Sequence, residues 1–219
     1  MHLQDYIDHT LLSPTATVAD IKELCREAIQ YQFKAVCVHG CHVTTAKEEL
    51  KGTLVKLAAV VGFPLGAMST EAKIFEARDC VEKGANEVDM VINIGWLKSG
   101  LNEQARDEIF QVKKELGQKT LKVILENCFL SDQEIKKACH LAVSAGADFV
   151  KTSTGFGSGG ATFKDVELMK EAVGNKALIK ASGGIRDRET ALKYIEMGVA
   201  RIGTSSGPKL IEESSKSDL

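Results

Sequence analysis

Residues 147–160 read A-D-F-V-K-T-S-T-G-F-G-S-G-G, and they decide how the rest of the chain is interpreted. The run up to residue 151 is short and mostly apolar, which predicts a buried parallel strand, yet Lys151 lies inside it. A buried ammonium without a partner is costly, so this lysine must find a carboxylate or lose its proton. A neutral lysine is a nucleophile towards carbonyl carbon. We therefore expect Lys151 to form a Schiff base.

The segment after Lys151 is rich in hydroxyl groups and glycine. Thr152, Thr154 and Gly155 come first, and further glycines follow at positions 157, 159 and 160. Exposed backbone N–H groups in such a loop bind the oxygens of a phosphate or an oxyanion. We expect this loop to contact a phosphorylated sugar held next to the lysine.

A short apolar strand followed by an amphipathic helix recurs about every 27 residues, which predicts an α/β fold of the (β/α)8 TIM-barrel type. No linker divides the sequence, so residues 1–219 are interpreted as a single TIM-barrel catalytic domain. Ser131 and Glu134 predict a capping box at the start of one helix. The predicted strands are Tyr6–Leu11, Ala35–Val38, Lys56–Phe63, Glu87–Ile94, Leu121–Glu126, the segment containing Lys151, Ala177–Ala181 and Val199–Gly203.

Two more charged residues lie inside predicted strands. In E-V-D-M-V-I-N-I, apolar side chains alternate with Asp89, which places Asp89 inside the barrel. In A-L-I-K-A, Lys180 lies on the strand next to that of Lys151. Like charge and burial both lower the pKa of a lysine, so we expect lowered pKa values for this pair. We predict that Lys180 keeps Lys151 neutral and that Asp89 balances the two amines.

The loops at the ends of the last two predicted strands also carry glycine and serine. Gly183 and Gly184 follow the seventh strand, and Gly203, Ser205 and Ser206 lie at the end of the eighth. TIM barrels commonly bind phosphate at this place, on backbone N–H groups. We expect these five residues to hold the phosphate of the sugar.

Composition excludes several other classes of function. The net charge is -2 with a pI near 6.2, which provides no basic field for nucleic acid or for an anionic membrane surface. The first residues lack a basic, apolar leader, and no run of about 18 apolar residues occurs. We therefore expect a cytoplasmic protein with no membrane segment.

Cysteine and histidine placement argues against a metal. The six cysteines are scattered through periodic segments, which is typical of reduced thiols in the cytosol. The cluster His39-Gly40-Cys41-His42 lacks a second paired set at the spacing of a structural zinc site. We predict no metal and no cofactor, and we expect small-molecule partners, a phosphosugar and an aldehyde. The sequence leaves the oligomeric state open, with a homodimer as the expectation.

Other interpretations of these residues remain open. One lysine in a strand could lie at the strand end and reach solvent, and all three charged residues could form a structural ion-pair cluster. Glu126 could replace Asp89 as the interior acid, although a carboxylate at a strand end is more easily solvated. A barrel isomerase or epimerase with Asp89 as its base is one alternative function. A non-catalytic protein that binds phosphate ligands is another.

Six segments of the sequence resemble the deoxyribose-phosphate aldolase family, whose members are class I aldolases. They are D-H-T-L-L (8–12), E-V-D-M-V-I-N-I-G (87–95), K-V-I-L-E (122–126), F-V-K-T-S-T-G-F-G-S-G-G-A-T (149–162), I-K-A-S-G-G-I-R (179–186) and R-I-G-T-S-S-G (201–207). The resemblance implies reversible cleavage of 2-deoxy-D-ribose 5-phosphate to D-glyceraldehyde 3-phosphate and acetaldehyde, in deoxyribose phosphate catabolism. It also implies Lys151 as the Schiff-base lysine, Lys180 as a second lysine that assists proton transfer, and Asp89 as a proton donor or acceptor.

The sequence departs from the family pattern at two places. Family members usually carry a proline just after the cysteine of the second strand, whereas His39 and Gly40 follow Cys37-Val38 here. The rim beside the second strand is therefore the part of the site for which the resemblance predicts least. Some longer relatives also have a C-terminal tyrosine that points towards the active site, and Leu219 ends the present sequence without one. We expect water or Asp89 to move protons in its place.

Overall fold

The computed structural model describes residues 2–212. Eight parallel strands hydrogen-bond in chain order, and β1 pairs with both β2 and β8, so the sheet closes into a barrel. The predicted (β/α)8 TIM barrel is confirmed. The strands are β1 (Ile7–Thr10), β2 (Ala35–His39), β3 (Lys56–Val61), β4 (Glu87–Val91), β5 (Thr120–Ile124), β6 (Phe149–Lys151), β7 (Leu178–Ser182) and β8 (Arg201–Thr204).

Helices connect the strands and cover the outside of the barrel. Among the described residues they are α1 (Val18–Gln30), α2 (Val43–Glu49), α3 (Thr70–Glu82), α4 (Ile94–Lys98), α5 (Asn102–Leu116), α6 (Asp132–Ser144), α7 (Phe163–Val173), α8 (Arg188–Glu196) and α9 (Gly207–Glu212). The capping box at the start of α6 is present, because the Ser131 hydroxyl accepts from the Glu134 N–H and Glu134 accepts from the Ser131 N–H. Between residues 2 and 212, no helix is long and apolar enough to cross a membrane.

The fourth strand is shorter than predicted. We expected it to run to Ile94, but β4 ends at Val91. Asn93 instead caps the short helix α4, since its side-chain oxygen accepts a hydrogen bond from the N–H of Trp96 at 3.1 Å. The sequence V-I-N-I does not predict this cap, because a mostly apolar segment of this kind is equally compatible with a longer buried strand.

The main hydrophobic core lies between the barrel and its helices. Outward side chains of the strands, such as Val88 and Met90, pack there and are fully buried. Inside the barrel, a small apolar cluster formed by Leu12, Cys37, Ala58 and Val60 occupies the side near β2 and β3. Buried charged side chains share the interior with further apolar residues such as Ile124 and Phe149, and they form the site described below.

A buried ion pair ties α3 to α5 outside the barrel. Lys73 and Glu108 are both almost completely buried, and the Lys73 Nζ lies 2.6 Å from a carboxylate oxygen of Glu108. The same ammonium donates to the backbone oxygen of Val91 at 2.9 Å, where β4 ends. The pair therefore links two helices to the mouth of the barrel.

Replacing Glu108 with glutamine is expected to destabilise the protein by about 3–5 kcal/mol, because it leaves the Lys73 ammonium buried without a counter-charge. Glu115→Gln is the matched control on the same helix. Its partner Arg78 is about half exposed, so the expected loss is about 1 kcal/mol or less. Urea unfolding of both variants measures the difference, and equal losses would contradict a special role for the buried pair.

Candidate active site

Lys151, Lys180 and Asp89 meet inside the barrel. The Nζ of Lys151 donates to Oδ2 of Asp89 at 2.9 Å, and the Nζ of Lys180 donates to the same oxygen at 2.8 Å. The two lysines are direct register partners on β6 and β7. All three side chains are buried, as predicted from the alternation around Asp89 and from the apolar strands that contain the two lysines. One carboxylate oxygen is thus shared by two amines on neighbouring strands.

Further ion pairs extend the cluster towards the other end of the barrel. Lys180 also donates to Oδ2 of Asp8 at 2.6 Å, and Lys122 donates to Oδ1 of Asp89 at 2.7 Å. Lys122 lies 2.6 Å from Glu87. Arg201 bonds Asp8 with one end of its guanidinium and donates to Glu87 at 2.7 Å with the other. The result is one connected network.

Burial and the neighbouring charges together lower the pKa values of both Lys151 and Asp89. Burial lowers the pKa of Lys151, which the Asp89 carboxylate opposes and the Lys180 charge reinforces. For Asp89, burial would raise the pKa, but Lys122, Lys151 and Lys180 outweigh it and hold the pKa well below the usual range. Asp89 is therefore an ionised carboxylate at neutral pH.

The expectation of a lowered pKa for both lysines is wrong for Lys180. Burial disfavours its charged form, but the carboxylates of Asp8 and Asp89 outweigh burial and raise the pKa of Lys180 above its ordinary value. The two amines have different surroundings, because Lys180 contacts two carboxylates and Lys151 contacts one. Lys180 is consequently the permanent cation of the pair.

A cavity of about 370 Å³ opens above Lys151 at the carboxyl ends of the strands. Six residues named from the sequence line it together: Lys151, Gly155, Gly183, Gly184, Gly203 and Ser205. The lining is completed by residues at the end of β1 and just after it, Thr10, Leu11, Leu12 and Ser13, and by Phe156, Ser182, Ile185, Arg186 and Thr204. The lysine and the glycine-rich loops therefore face one space.

Two glycines allow close approaches around the site that a side chain would prevent. A Cβ on Gly160 would lie 2.2 Å from the backbone oxygen of Gly183, so the loop after β6 can rest on the loop after β7 only without a side chain. A Cβ on Gly203 would lie 3.0 Å from Cε of Lys180 and 2.8 Å from Cβ of Ser182. Gly203 therefore leaves room for the Lys180 side chain.

Three other residues that were predicted to bind the phosphosugar, Thr152, Thr154 and Ser206, use their hydroxyl or backbone groups in hydrogen bonds within the protein. The Thr152 hydroxyl donates to the backbone oxygen of Ser182 at 3.0 Å. The Thr154 hydroxyl bonds Glu126 and accepts from the N–H of Phe156 at 3.0 Å. The N–H of Ser206 donates to the Thr204 hydroxyl at 3.0 Å. These three residues do not line the cavity, and their contacts brace the loops that do.

Glu126 is not the solvated carboxylate that its place at a strand end suggested. It is buried, it adopts a positive φ of 56° just after β5, and it accepts from the N–H of Thr154 at 3.2 Å. It contacts none of the interior amines. Glu126 therefore anchors the loop after β6, and Asp89 is the acid next to Lys151.

The rim beside β2, where the sequence departs from the family pattern, is aromatic. The Nε2 of His39 lies 3.0 Å from the backbone oxygen of Leu12, in the segment after β1. The ring of Phe63 stands edge-on to His39 and to Phe156, with centroids 5.6 and 5.3 Å apart. His39, in the segment where family members usually have a proline, thus links the rim to the cavity wall. The C-terminal end, where longer relatives have a tyrosine, lies outside the described residues.

Four charged residues of the network were not predicted from the sequence: Asp8, Glu87, Lys122 and Arg201. A signal was present, because Glu87 lies two residues before Asp89 and therefore on the same face of β4. Lys122 begins the apolar run K-V-I-L, and Arg201 begins R-I-G. Glu87, Lys122 and Arg201 each lie in or beside a predicted apolar strand, which is the feature that identified Lys151 as unusual.

The chain is similar to known aldolases along nearly its whole length. The model for the DeoC/LacD family aldolase matches residues 4–209. The deoxyribose-phosphate aldolase of Finegoldia magna is 55% identical over 212 residues, covering 97% of this chain and 100% of the relative. A putative deoxyribose-phosphate aldolase structure from Coccidioides immitis superposes with a TM-score of 0.95 at 40% identity, covering 98% of this chain and 86% of that one.

A further solved structure is a tetrameric deoxyribose phosphate aldolase from Aeropyrum pernix. It has a TM-score of 0.88 and 35% identity, and the match covers 99% of this chain and 92% of that one. The family match spans nearly the whole barrel, and it includes all three interior residues that the sequence singled out. The chain therefore belongs to the DeoC/LacD family of aldolases, enzymes that make and break carbon–carbon bonds in small molecules.

Proposed function

We propose that this aldolase cleaves 2-deoxy-D-ribose 5-phosphate reversibly to D-glyceraldehyde 3-phosphate and acetaldehyde through a Schiff base on Lys151, in deoxyribose phosphate catabolism. The observation that carries the proposal is the position of Lys151. Its amine shares Oδ2 of Asp89 with Lys180 and lines a cavity bordered by glycine-rich loops. The names of relatives over half identical to this chain support the same substrate.

The first step is addition of the Lys151 amine to the aldehyde. Burial favours the neutral form of this amine, whose nitrogen attacks C1 of the open-chain sugar to give a carbinolamine. Loss of water then leaves a cationic iminium. The departing hydroxyl takes its proton from solvent through a water molecule, and Lys180 assists this transfer by keeping its charge and fixing the carboxylate oxygen that it shares with Lys151. Asp89 stabilises the positive charge that develops on the Lys151 nitrogen.

Cleavage follows because the iminium accepts electrons. A base removes the proton from the C3 hydroxyl, the bond between C2 and C3 breaks, and its electron pair forms an enamine on C2. D-Glyceraldehyde 3-phosphate leaves. We assign this base to Asp89, acting directly or through a water molecule, and its lowered pKa makes it a weak base. Protonation of the enamine at C2 and hydrolysis release acetaldehyde and restore the amine.

The phosphate is assigned to the glycine-rich side of the cavity. Gly183, Gly184 and Ser205 line it with backbone that carries little or no side chain. Thr152, Thr154 and Ser206 are proposed to act by holding these loops, since their own groups bond within the protein. Arg186 lines the same cavity and supplies a positive charge for the phosphate dianion.

The test combines product analysis with covalent trapping. Purified protein is incubated with 2-deoxy-D-ribose 5-phosphate, and both aldehyde products are quantified. In parallel, the protein is treated with acetaldehyde and borohydride, and peptide mapping locates the reduced two-carbon adduct, which we expect on Lys151. Isomerised sugar phosphate without cleavage and without an adduct would favour a non-covalent isomerase with Asp89 as base. A thermal shift with the sugar phosphate but no product would favour a binding protein.

We also propose that residues 1–219 act as one cytoplasmic catalytic domain that forms a homodimer. All six cysteines are free, which suits a reducing compartment. Phe75 on α3 and Phe110 on α5 are more than half exposed although these helices pack together, and two large apolar side chains exposed on neighbouring helices suit a subunit contact. Light scattering after gel filtration measures the mass, and a monomer or a tetramer would contradict the dimer.

A further inference from the structure

We propose that Arg201 and Glu87 set the pH range in which Lys151 reacts, by keeping the buried charges of the barrel in balance. The inference rests on the proposed Schiff-base function of Lys151. Neither residue lines the cavity, and both are nearly buried at the far side of the ion-pair network. They are therefore positioning residues, which act on the reaction through other side chains.

The connected network contains seven ionisable side chains: the acids Asp8, Glu87 and Asp89, and the bases Lys122, Lys151, Lys180 and Arg201. With Lys151 neutral, three positive charges face three negative charges. With Lys151 protonated, one positive charge is in excess among side chains that are all buried. A net buried charge is costly, so the balance favours the neutral amine.

Two routes connect Arg201 to Asp89, which bonds Lys151. One runs through Asp8 and then Lys180, whose ammonium bonds Asp8 at 2.6 Å and Asp89 at 2.8 Å. The second route runs through Glu87, which accepts a hydrogen bond from Arg201 at 2.7 Å. Lys122 lies 2.6 Å from Glu87 and donates to Asp89 at 2.7 Å. Each acid is thus held between bases, so a charge removed at Arg201 changes the field at Lys151.

Few other titratable groups face Lys151. Cys37 on β2 is buried, and burial together with the nearby Asp89 raises the pKa of its thiol, which stays neutral. The neighbouring interior positions on β3, Ala58 and Val60, are apolar. Glu126 is occupied by Thr154 in the loop after β6. Arg186 lines the same cavity as Lys151 and is unchanged in every variant below, so differences in the charge around Lys151 come from the network.

Substitutions at Arg201 and Glu87 are expected to move the pH profile of the reaction between Lys151 and an aldehyde in opposite directions. Arg201→Met leaves one excess negative charge around a neutral Lys151, so the lysine binds its proton more tightly and its pKa rises. The acid limb of the pH profile then shifts upwards by about one pH unit, a tenfold loss of activity at a fixed pH on that limb. Glu87→Gln leaves one excess positive charge and shifts the limb downwards.

Two further variants separate charge from structure. Arg201→Lys keeps the positive charge and is expected to keep the acid limb within a few tenths of a pH unit. The double variant Arg201→Met with Glu87→Gln removes one charge of each sign and is expected to return the limb towards that of the unmodified protein. A purely structural role predicts the reverse, with the double variant worse than either single one. Should Arg201→Met not fold, Glu87→Gln and the double variant still decide the matter.

The experiment measures the rate at which acetaldehyde and borohydride label Lys151 between about pH 5 and 9, by intact mass and peptide mapping. Opposite shifts for the two single variants, cancelled in the double variant, establish the charge balance. Unchanged acid limbs in folded variants would overturn it. Absence of any adduct on Lys151 in the unmodified protein would instead overturn the proposed function, so the two failures are distinguishable.

Discussion

Replacement of Lys151 by methionine is expected to abolish aldol cleavage while the barrel stays folded. Removing a covalent nucleophile lowers turnover by on the order of 10⁵–10⁶-fold. The fold is expected to survive because Asp89 keeps hydrogen bonds from Lys122 at 2.7 Å and Lys180 at 2.8 Å. The buried network also stays balanced, with three charges of each sign.

The measurement is turnover of 2-deoxy-D-ribose 5-phosphate together with the midpoint of urea unfolding. Lys164→Met is the matched control, because Lys164 is an exposed lysine paired with Asp132 on the surface. The control should keep full activity. Turnover by Lys151→Met above about one thousandth of the starting value, in protein free of contaminating aldolase, would rule out an essential covalent role for this residue.

Replacement of Asp89 by asparagine is expected to damage both stability and activity. Its carboxylate accepts hydrogen bonds from Lys122, Lys151 and Lys180, and an amide leaves these three amines with less negative charge nearby. Breaking a buried ion pair in this way costs about 3–5 kcal/mol. Loss of the group that positions and exchanges protons lowers turnover by a further factor of about 10²–10⁴.

The pH dependence of the Asp89→Asn effect has a definite sign. The pKa of Asp89 is depressed in the folded protein, so its ionised form contributes stability above the pKa of an unfolded aspartate. That contribution is lost as the pH falls through the folded pKa. Unmodified protein and variant should therefore differ most at neutral pH and converge in strong acid.

Asp132→Asn is the control for this second substitution, because Asp132 forms an exposed pair with Lys164. Its expected cost is about 1 kcal/mol or less. Urea unfolding at several pH values, with turnover measured on the same samples, tests the prediction. If the Asp89→Asn variant unfolds at the same urea concentration as the control, the Asp89 carboxylate does not stabilise the fold through its bonds to the three buried amines.

The barrel and its central residues could be predicted from the sequence because both depend on local patterns. Eight strand-and-helix units close a barrel of this length, and the structure differs mainly at element ends, as where Asn93 caps α4. Alternation along β4 places Asp89 inside without knowledge of any other strand. A lysine in an apolar strand is unusual enough to single out both Lys151 and Lys180.

The partners of those residues were decided only by the tertiary structure. Alternation says which face a side chain occupies, but the stagger of the strands and the closure of β1 onto β8 bring Asp8 to Lys180 across 172 positions of sequence. That contact raises the pKa of Lys180 where its own strand predicted a lowered one. The sequence determined that two lysines are buried together, and the closed barrel determined which of them carries the charge, because burial disfavours both cations and only nearby carboxylates reverse the effect.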